Sequence, residues 1–336
     1  MLRRVKTKIV NLAGPLGGYR FARWVTRYQP KILMFHRFAK ISGKGRVGRE
    51  LFEKQIQELT KGFNVVSLTT VIKVLKGEIP RRENMIALTV DDGYADFYHY
   101  AYPILKKYDM PATIYVPSEF ADGKLWLWPD RLTYVMEKTL CASYTFTLGN
   151  QPVPYQLVNE KPYGKLWNEL VHYCLSCNDE EKNRFLNQFA MELGVSVPDK
   201  PVDDFAAANW DQLSEMAENG IEIGAHTSTH PSLAKVSSEN LHYEIFGCKE
   251  KLEKKLGVKV TNFCYPNGQS SDYNAEVQKF VADAKFESAT VAFMDANPYA
   301  DIYELRRHAV GGCMYQFKKA IYGVEILGYH VRNIFL

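Results

Sequence analysis

Met85-Ile86-Ala87-Leu88-Thr89-Val90-Asp91-Asp92-Gly93 decides how this chain is read. Six apolar or β-branched residues are too few for a helix, and they run straight into two adjacent carboxylates and a glycine, the pattern of a buried strand that delivers charge at its end. The same grammar recurs on either side. Ile32-Leu33-Met34-Phe35 ends at His36, Ala112-Thr113-Ile114-Tyr115-Val116 at Pro117-Ser118-Glu119, and Ile221-Glu222-Ile223-Gly224-Ala225 at His226. Val260 to Cys264 runs into Tyr265-Pro266, Ala289 to Phe293 into Asp295, and a weaker segment near Leu305 into Arg307-His308. Seven buried strands are expected.

Helical patterns separate many of them: Glu50 to Thr60, Ala95 to Tyr108, Asp211 to Asn219 before Gly220, and Ser237 to Leu256 before Gly257. Both glycines suit a helix C-terminus. Alternating strand and helix argues for parallel βα units. An open sheet and a closed barrel both place ligands beyond the carboxyl ends of strands, but only closure gathers nearly every strand end at one site. Seven strands then predict an α/β fold, a distorted, incomplete (β/α)7 TIM-like barrel. The interval from about 120 to 205 breaks the rhythm and reads as a large insertion without an independent core, overhanging the site. The expected organisation is a basic segment over 1–30 and a barrel over 31–336 that carries this insertion.

Composition sets outer limits. The chain has 336 residues, 46% hydrophobic and 24% charged, with 42 Lys and Arg against 38 Asp and Glu. That balance fits a globular protein and gives no reason to expect a nucleic-acid partner. Neither G-x-G-x-x-G nor a Walker-type phosphate loop occurs. Six cysteines without regular spacing do not make a small disulfide scaffold. His172-x-Cys174-x-x-Cys177 lacks a fourth metal ligand at sensible spacing.

Asp-Asp-Gly is often only a turn, and two histidines four apart are often unrelated. Here each follows a buried strand. Adjacent carboxylates repel unless a cation or a proton relieves them. His226 and His230 form H-x-x-x-H, with Thr227 where a helical zinc protease would carry Glu and with Pro231 disfavouring helix at His230. One Asp and two His make a ligand set that leaves positions open for water, the arrangement of a catalytic metal site. The second Asp is then free to act as a base.

Thr89-Val90-Asp91-Asp92-Gly93-Tyr94 resembles the T-F-D-D-G motif of polysaccharide deacetylases, the NodB-homology group of carbohydrate esterase family 4. His226-Thr227-Ser228-Thr229-His230 resembles their H-S/T-x-x-H motif, and Cys264-Tyr265-Pro266-Asn267-Gly268 is similar to R-x-P-x-G. The resemblance covers roughly residues 30–120 and 206–310. It implies a distorted (β/α)7 barrel, a divalent metal ion, commonly zinc, on Asp92, His226 and His230, and Asp91 as general base. It also implies that the Tyr265 N–H helps hold the oxyanion, with Pro266 and Gly268 fixing that turn, and that the substrate is an N-acetylated glycan or glycan precursor.

The chain departs from the family in places. Cys264 stands where the third motif has Arg, and Arg307 is the candidate replacement, pairing with Asp91. The last motif, L-x-H, supplies an acid; Leu305-Arg306-Arg307-His308 puts its His one residue late, so His308 is the candidate acid. His36, in Leu33-Met34-Phe35-His36-Arg37, resembles a segment that opens the barrel in some relatives and is expected to line the site floor. Trp126 and Trp128 alternate as strand neighbours would, and Trp128 is expected to stack on a sugar ring. A metal-dependent N-deacetylase of an amino sugar is the first reading. A degenerate carbohydrate-binding barrel and an amidase acting on a non-sugar amide or cyclic imide stay open.

Residues 1–30 hold Arg3, Arg4, Lys6, Lys8, Arg20, Arg23 and Arg27 but no apolar stretch long enough for a signal-peptide core. The expectation is a cytoplasmic protein, in peripheral contact with anionic lipid at the inner face of the membrane through these cations, Phe21 and Trp24.

Overall fold

A computed structural model describes residues 17–43, 45–148, 151–157, 164–295 and 297–334. Eight parallel strands share one sheet: β1 Lys31–Phe35, β2 Asn64–Val65, β3 Met85–Val90, β4 Ala112–Val116, β5 Ile221–Ala225, β6 Asn262–Cys264, β7 Ser288–Thr290 and β8 His308–Ala309. Seven run in the order β7-β6-β5-β4-β3-β1-β8, and the two-residue β2 pairs with the start of β3. Six of the seven expected strands lie where the sequence places them. The seventh differs: regular pairing falls on His308–Ala309, while Leu305 makes a single bridge to Thr290. Residues 305–309 thus touch β7 at one end and β1 at the other, and draw the curled sheet into an incomplete barrel.

Strands buried on both faces explain the near-continuous apolar runs, and their period of two sorts the side chains. Leu33, Phe35, Ile86, Leu88, Val90, Ile114, Val116, Ile223, Phe263 and Ala289 belong to one apolar cluster with the surrounding helices. Ile32, Met85, Ala87, Tyr115, Cys264 and Leu305 form another, packed with Leu68, Val71 and Ile72 of α2. The second set is the barrel interior. Helix α1 is Tyr19–Val25, and α2 is Leu68–Leu75, capped at its start by the Ser67 side chain.

Two expected helices contain a wider turn. Ala95 to Tyr108 resolves into a π-helical turn at Phe97–Ala101 and an α-helix at Tyr102–Lys107, where Pro103 sits in the first turn and is tolerated there. Ser237 to Leu256 is interrupted by a π-helical turn at Tyr243–Gly247 and ends on Gly257 at φ 66°.

The interval 120–205 holds the helices Trp128–Lys138, Lys165–Ser176 and Asp179–Glu192 and an antiparallel hairpin, Ser143–Leu148 with Gln151–Gln156. Contrary to expectation it has an apolar cluster of its own, built on Trp128, Leu132, Phe146, Leu166, Leu170, Leu186 and Phe189. Trp126 and Trp128 are not strand neighbours: Trp128 opens a helix, with Pro129 next to it.

Gly224 shows how tightly the interior is filled. A Cβ there would lie 2.6 Å from Tyr115 Cε1 and 3.2 Å from the Asn262 carbonyl oxygen. Gly224→Ala is therefore expected to cost about 1–3 kcal/mol of overpacking, read as a lowered urea midpoint with an unchanged m-value.

Candidate active site

The interior parity of β1, β3 and β5, carried one residue past each end, points His36, Asp91 and His226 into one mouth, which Arg307 enters from just before β8. Asp92 follows Asp91 in a left-handed conformation, φ 74°, which turns its carboxylate back toward the histidines. Gly93 continues the turn at φ 74°, close against Val116. Of the eight non-glycine residues with positive φ among those described, four lie in this mouth: Asp92, Thr227, His230 and Asn267. Backbone of this kind costs energy and persists only where its surroundings hold it.

Asp92 Oδ1 is 3.3 Å from His226 Nε2 and 3.3 Å from His230 Nε2. Their three ligand atoms lie within 4.8 Å of one another, and both rings are buried. His226 Nδ1 is 2.7 Å from the Cys264 carbonyl oxygen. A carbonyl can only accept, so Nδ1 carries a proton and Nε2 is the ring nitrogen left to face Asp92; against burial, Cys264 and Asp92 raise the pKa of this ring. Burial lowers the pKa of His230 despite its bond to Asp92, which favours a neutral imidazole. This donor set fits a divalent cation. Asp91, His226 and Cys264 also cluster, but Arg307 already engages both Asp91 and the Cys264 sulfur.

The loop between the two histidines hangs on a residue that the motifs did not single out. Glu244, buried in the π-helical turn, accepts the Ser228 N–H at 2.9 Å, the Thr229 N–H at 2.9 Å and the Thr229 hydroxyl at 2.6 Å. The His230 N–H in turn donates to Thr227 Oγ1 at 2.9 Å. The signal for Glu244 lies in three dimensions, since only packing brings it under the loop.

Arg307 is fully buried and forks onto Asp91, with Nη1 to Oδ1 at 2.6 Å and Nη2 to Oδ2 at 2.8 Å. Its other donors reach Thr89 Oγ1 at 3.0 Å and the Val291 carbonyl at 2.9 Å. Burial opposes ionisation of Asp91, but the guanidinium outweighs it, helped by His36, and holds the carboxyl below its ordinary range. His36 Nε2 lies 3.4 Å from Asp91 Oδ2, and its side chain is 45% exposed. It is the imidazole with a solvent-open face.

Three expectations are corrected. His308 has the opposite parity to Arg307, so its ring leaves the barrel, and Nδ1 lies 2.8 Å from Glu325 Oε2 on the last helix. Arg307 occupies the position two after Leu305 where L-x-H would put its histidine. The Tyr265 N–H donates to the Thr290 carbonyl at 3.2 Å and is not free for an oxyanion, although Tyr265 and Pro266 do line the buried strand end. Trp128 is buried in the insertion's own core, 5.7 Å from Lys182 Nζ, and offers no open ring face for a sugar.

The insertion is tied to the mouth through Arg37, next to His36. Arg37 Nε bonds Asp96 Oδ2 at 2.7 Å, Nη1 reaches Asp130 Oδ1 at 3.4 Å, and Tyr94 donates to Asp130 Oδ2 at 2.7 Å. Burial raises the Asp130 pKa to about 7 against the pull of Arg37.

A family model described as polysaccharide deacetylase matches residues 78–142 and 197–289. A Bacillus subtilis protein, YxkH, provisionally described as a polysaccharide deacetylase, is 35% identical over 98 residues, 28% of this chain and 34% of its own length. The match therefore spans about a third of that relative. The Streptococcus pyogenes deacetylase PplD, solved with acetate, superposes with a TM-score of 0.57 at 20% identity, covering 90% of this chain and 99% of its own. IcaB from Ammonifex degensii gives a TM-score of 0.54 at 17% identity over 88% and 97% of the two chains. At these identities the two structures speak for the shared barrel alone.

Two outcomes follow from this geometry. Arg307→Ala strands the buried Asp91 charge and should destabilise the fold by about 3–5 kcal/mol in urea titration. Glu244→Ala should weaken any divalent-cation binding at Asp92, His226 and His230 by about 10–100-fold in competition with a chromophoric chelator, with unchanged far-ultraviolet dichroism.

Proposed function

Because this chain belongs to the polysaccharide deacetylase family, whose model matches it over residues 78–142 and 197–289, we propose that it is a metal-dependent hydrolase removing the N-acetyl group from an amino sugar of a glycan or glycan precursor. The observation that carries this reading is the pairing of two carboxylates with different duties: Asp92 aimed at two imidazole nitrogens, Asp91 clamped by a guanidinium.

Asp92, His226 and His230 would hold a divalent cation, zinc first among those suited to imidazole and carboxylate. Such an ion, when bound, supplies a Lewis acid for the acetamido carbonyl and makes water more acidic. The side chains do the rest. Arg307 uses both carboxylate oxygens of Asp91 to fix its plane, and keeps it ionised at neutral pH, ready to take a proton from the attacking water. The Cys264 carbonyl fixes the tautomer of His226. Collapse of the tetrahedral adduct breaks the C–N bond, and the departing amine needs a proton. His36, across from Asp91 and open to solvent, is placed to give it; His308, bonded to Glu325 outside the barrel, is not. The products are acetate and a free amino sugar. Acetate is also what the Streptococcus pyogenes relative holds.

In an acetate-release assay on N-acetylated oligosaccharides with zinc-loaded protein, Asp91→Asn should retain metal and lose about 10²–10⁴ in turnover. His226→Ala should lose both metal and turnover, and His36→Ala should keep metal while turnover falls. A chelator should abolish activity and zinc restore it. Metal content comes from emission spectroscopy. An Asp91→Asn protein as fast as the parent would refute the assignment, and bound metal without acetate release from any glycan offered would favour a binding protein on the same barrel.

A further inference from the structure

At the end of the barrel opposite the catalytic mouth, α1 leads directly into β1. Its inner side is fixed. Ala22 and Thr26 are buried, the Tyr19 ring packs 5.0 Å from Tyr322, and the Arg23 guanidinium lies 4.4 Å over Phe63 while bonding the carbonyls of Lys61 and Gly62. Its outer side is apolar and uncovered among the described residues. Phe21 is 62% exposed, Trp24 60%, Val25 43% and Tyr28 47%. Positions 21, 24, 25 and 28 follow i, i+3, i+4, i+7, one stripe along the helix and the turn after it. Scattered exposed apolar residues need no explanation, whereas a contiguous aromatic stripe on a firmly held helix marks an interaction surface.

Charge selects the occupant. Residues 1–30 contain seven Lys and Arg and no Asp or Glu. Four of these cations, Arg3, Arg4, Lys6 and Lys8, precede the described structure. Arg20 is exposed beside the stripe, and Arg27 lies 5.0 Å over the Trp24 ring and 4.8 Å over Tyr28. The loop before β3 adds Arg81 and Arg82, both exposed, and is joined to this segment by the Asn84 N–H donating to the Arg27 carbonyl at 2.6 Å. Of the two acidic residues in that loop, Glu83 is paired with Arg27 at 3.2 Å and Glu78 is exposed, so the loop's own cations, Lys76, Arg81 and Arg82, still outnumber its acids. Aromatic rings flanked by cations on one face suit the interface of an anionic bilayer, where rings sit at headgroup depth and Arg and Lys meet lipid phosphate.

We propose that this face docks on an anionic membrane surface. The direction of β1 then sets the orientation. Its five residues span about 17 Å between the docking helix and His36, so the catalytic mouth faces away from the bilayer, toward glycan standing off the surface. This surface is independent of the chemistry at the mouth.

The test is co-sedimentation of the whole chain with phosphatidylcholine vesicles, with and without about 30% phosphatidylglycerol, at low and high salt. Binding to anionic vesicles should exceed binding to neutral ones by about tenfold or more and fall with salt. Phe21→Ser/Trp24→Ser should lose about tenfold in binding to anionic vesicles while keeping the parent's thermal midpoint, since both side chains are exposed. Equal or absent binding of the parent to the two vesicle types would overturn the proposal. So would a double variant that binds like the parent, or one that merely turns a dimer into a monomer: the stripe would then be covered by residues 1–16 or by a second copy.

Discussion

A buried, bidentate ion pair between Arg307 and Asp91 holds this molecule's chemistry in place. Neither partner could sit there alone. An unpaired carboxylate in the barrel interior would take up a proton, and an unpaired guanidinium cannot shed one. Together they satisfy one another, and the remaining guanidinium donors reach Thr89 and the Val291 carbonyl. Because Arg307 lies in the segment that bridges β7 and β1, the residue that keeps Asp91 ionised belongs to the same segment that draws the sheet into its incomplete barrel. In the proposed mechanism, stability and catalysis share this one interaction.

The pair also explains how the chain tolerates its departures from the family motifs. Cys264 stands where the motif it resembles has an arginine, and Arg307 stands two residues after Leu305, where the resembled L-x-H motif has its histidine. Arg307 thus reaches Asp91 from across the barrel, with its Nη2 also 3.2 Å from the Cys264 sulfur. The mouth nonetheless has an imidazole beside Asp91, for His36 enters it from β1. Glu244 does for the histidine loop what Arg307 does for the aspartate, accepting the N–H groups that a left-handed backbone at Thr227 and His230 leaves turned inward.

Away from the mouth, the insertion behaves as a body with its own apolar core, attached through Asp130 to Arg37, the residue beside His36. The Arg37 guanidinium meets Asp130 of the insertion and Asp96 of the barrel, and the Tyr94 hydroxyl donates to the same Asp130 carboxylate. A change in the insertion therefore has a short route to the imidazole at the mouth. Trp128, which resembles a sugar platform in sequence, is spent on that core.

Sequence alone determined six of the strands and the donors at their ends, because buried parallel strands must be apolar throughout and because two carboxylates and two imidazoles at strand ends have few other uses; the two-residue β2 and β8 are too short to leave such a pattern. Arg307 was legible as the partner of Asp91, but His308 was expected in the mouth, and only the pairing of residues 305–309 with both neighbours shows that it faces outward. What the tertiary structure decided was everything that depends on register between segments far apart in the chain. The reach of Arg307 to Asp91 spans 216 residues. The Glu244 anchor needed a π-helical turn to pass under the histidine loop, and the Tyr265 N–H was consumed by Thr290 on the neighbouring strand. No local pattern encodes such distances, since they are set by how the sheet curls and closes.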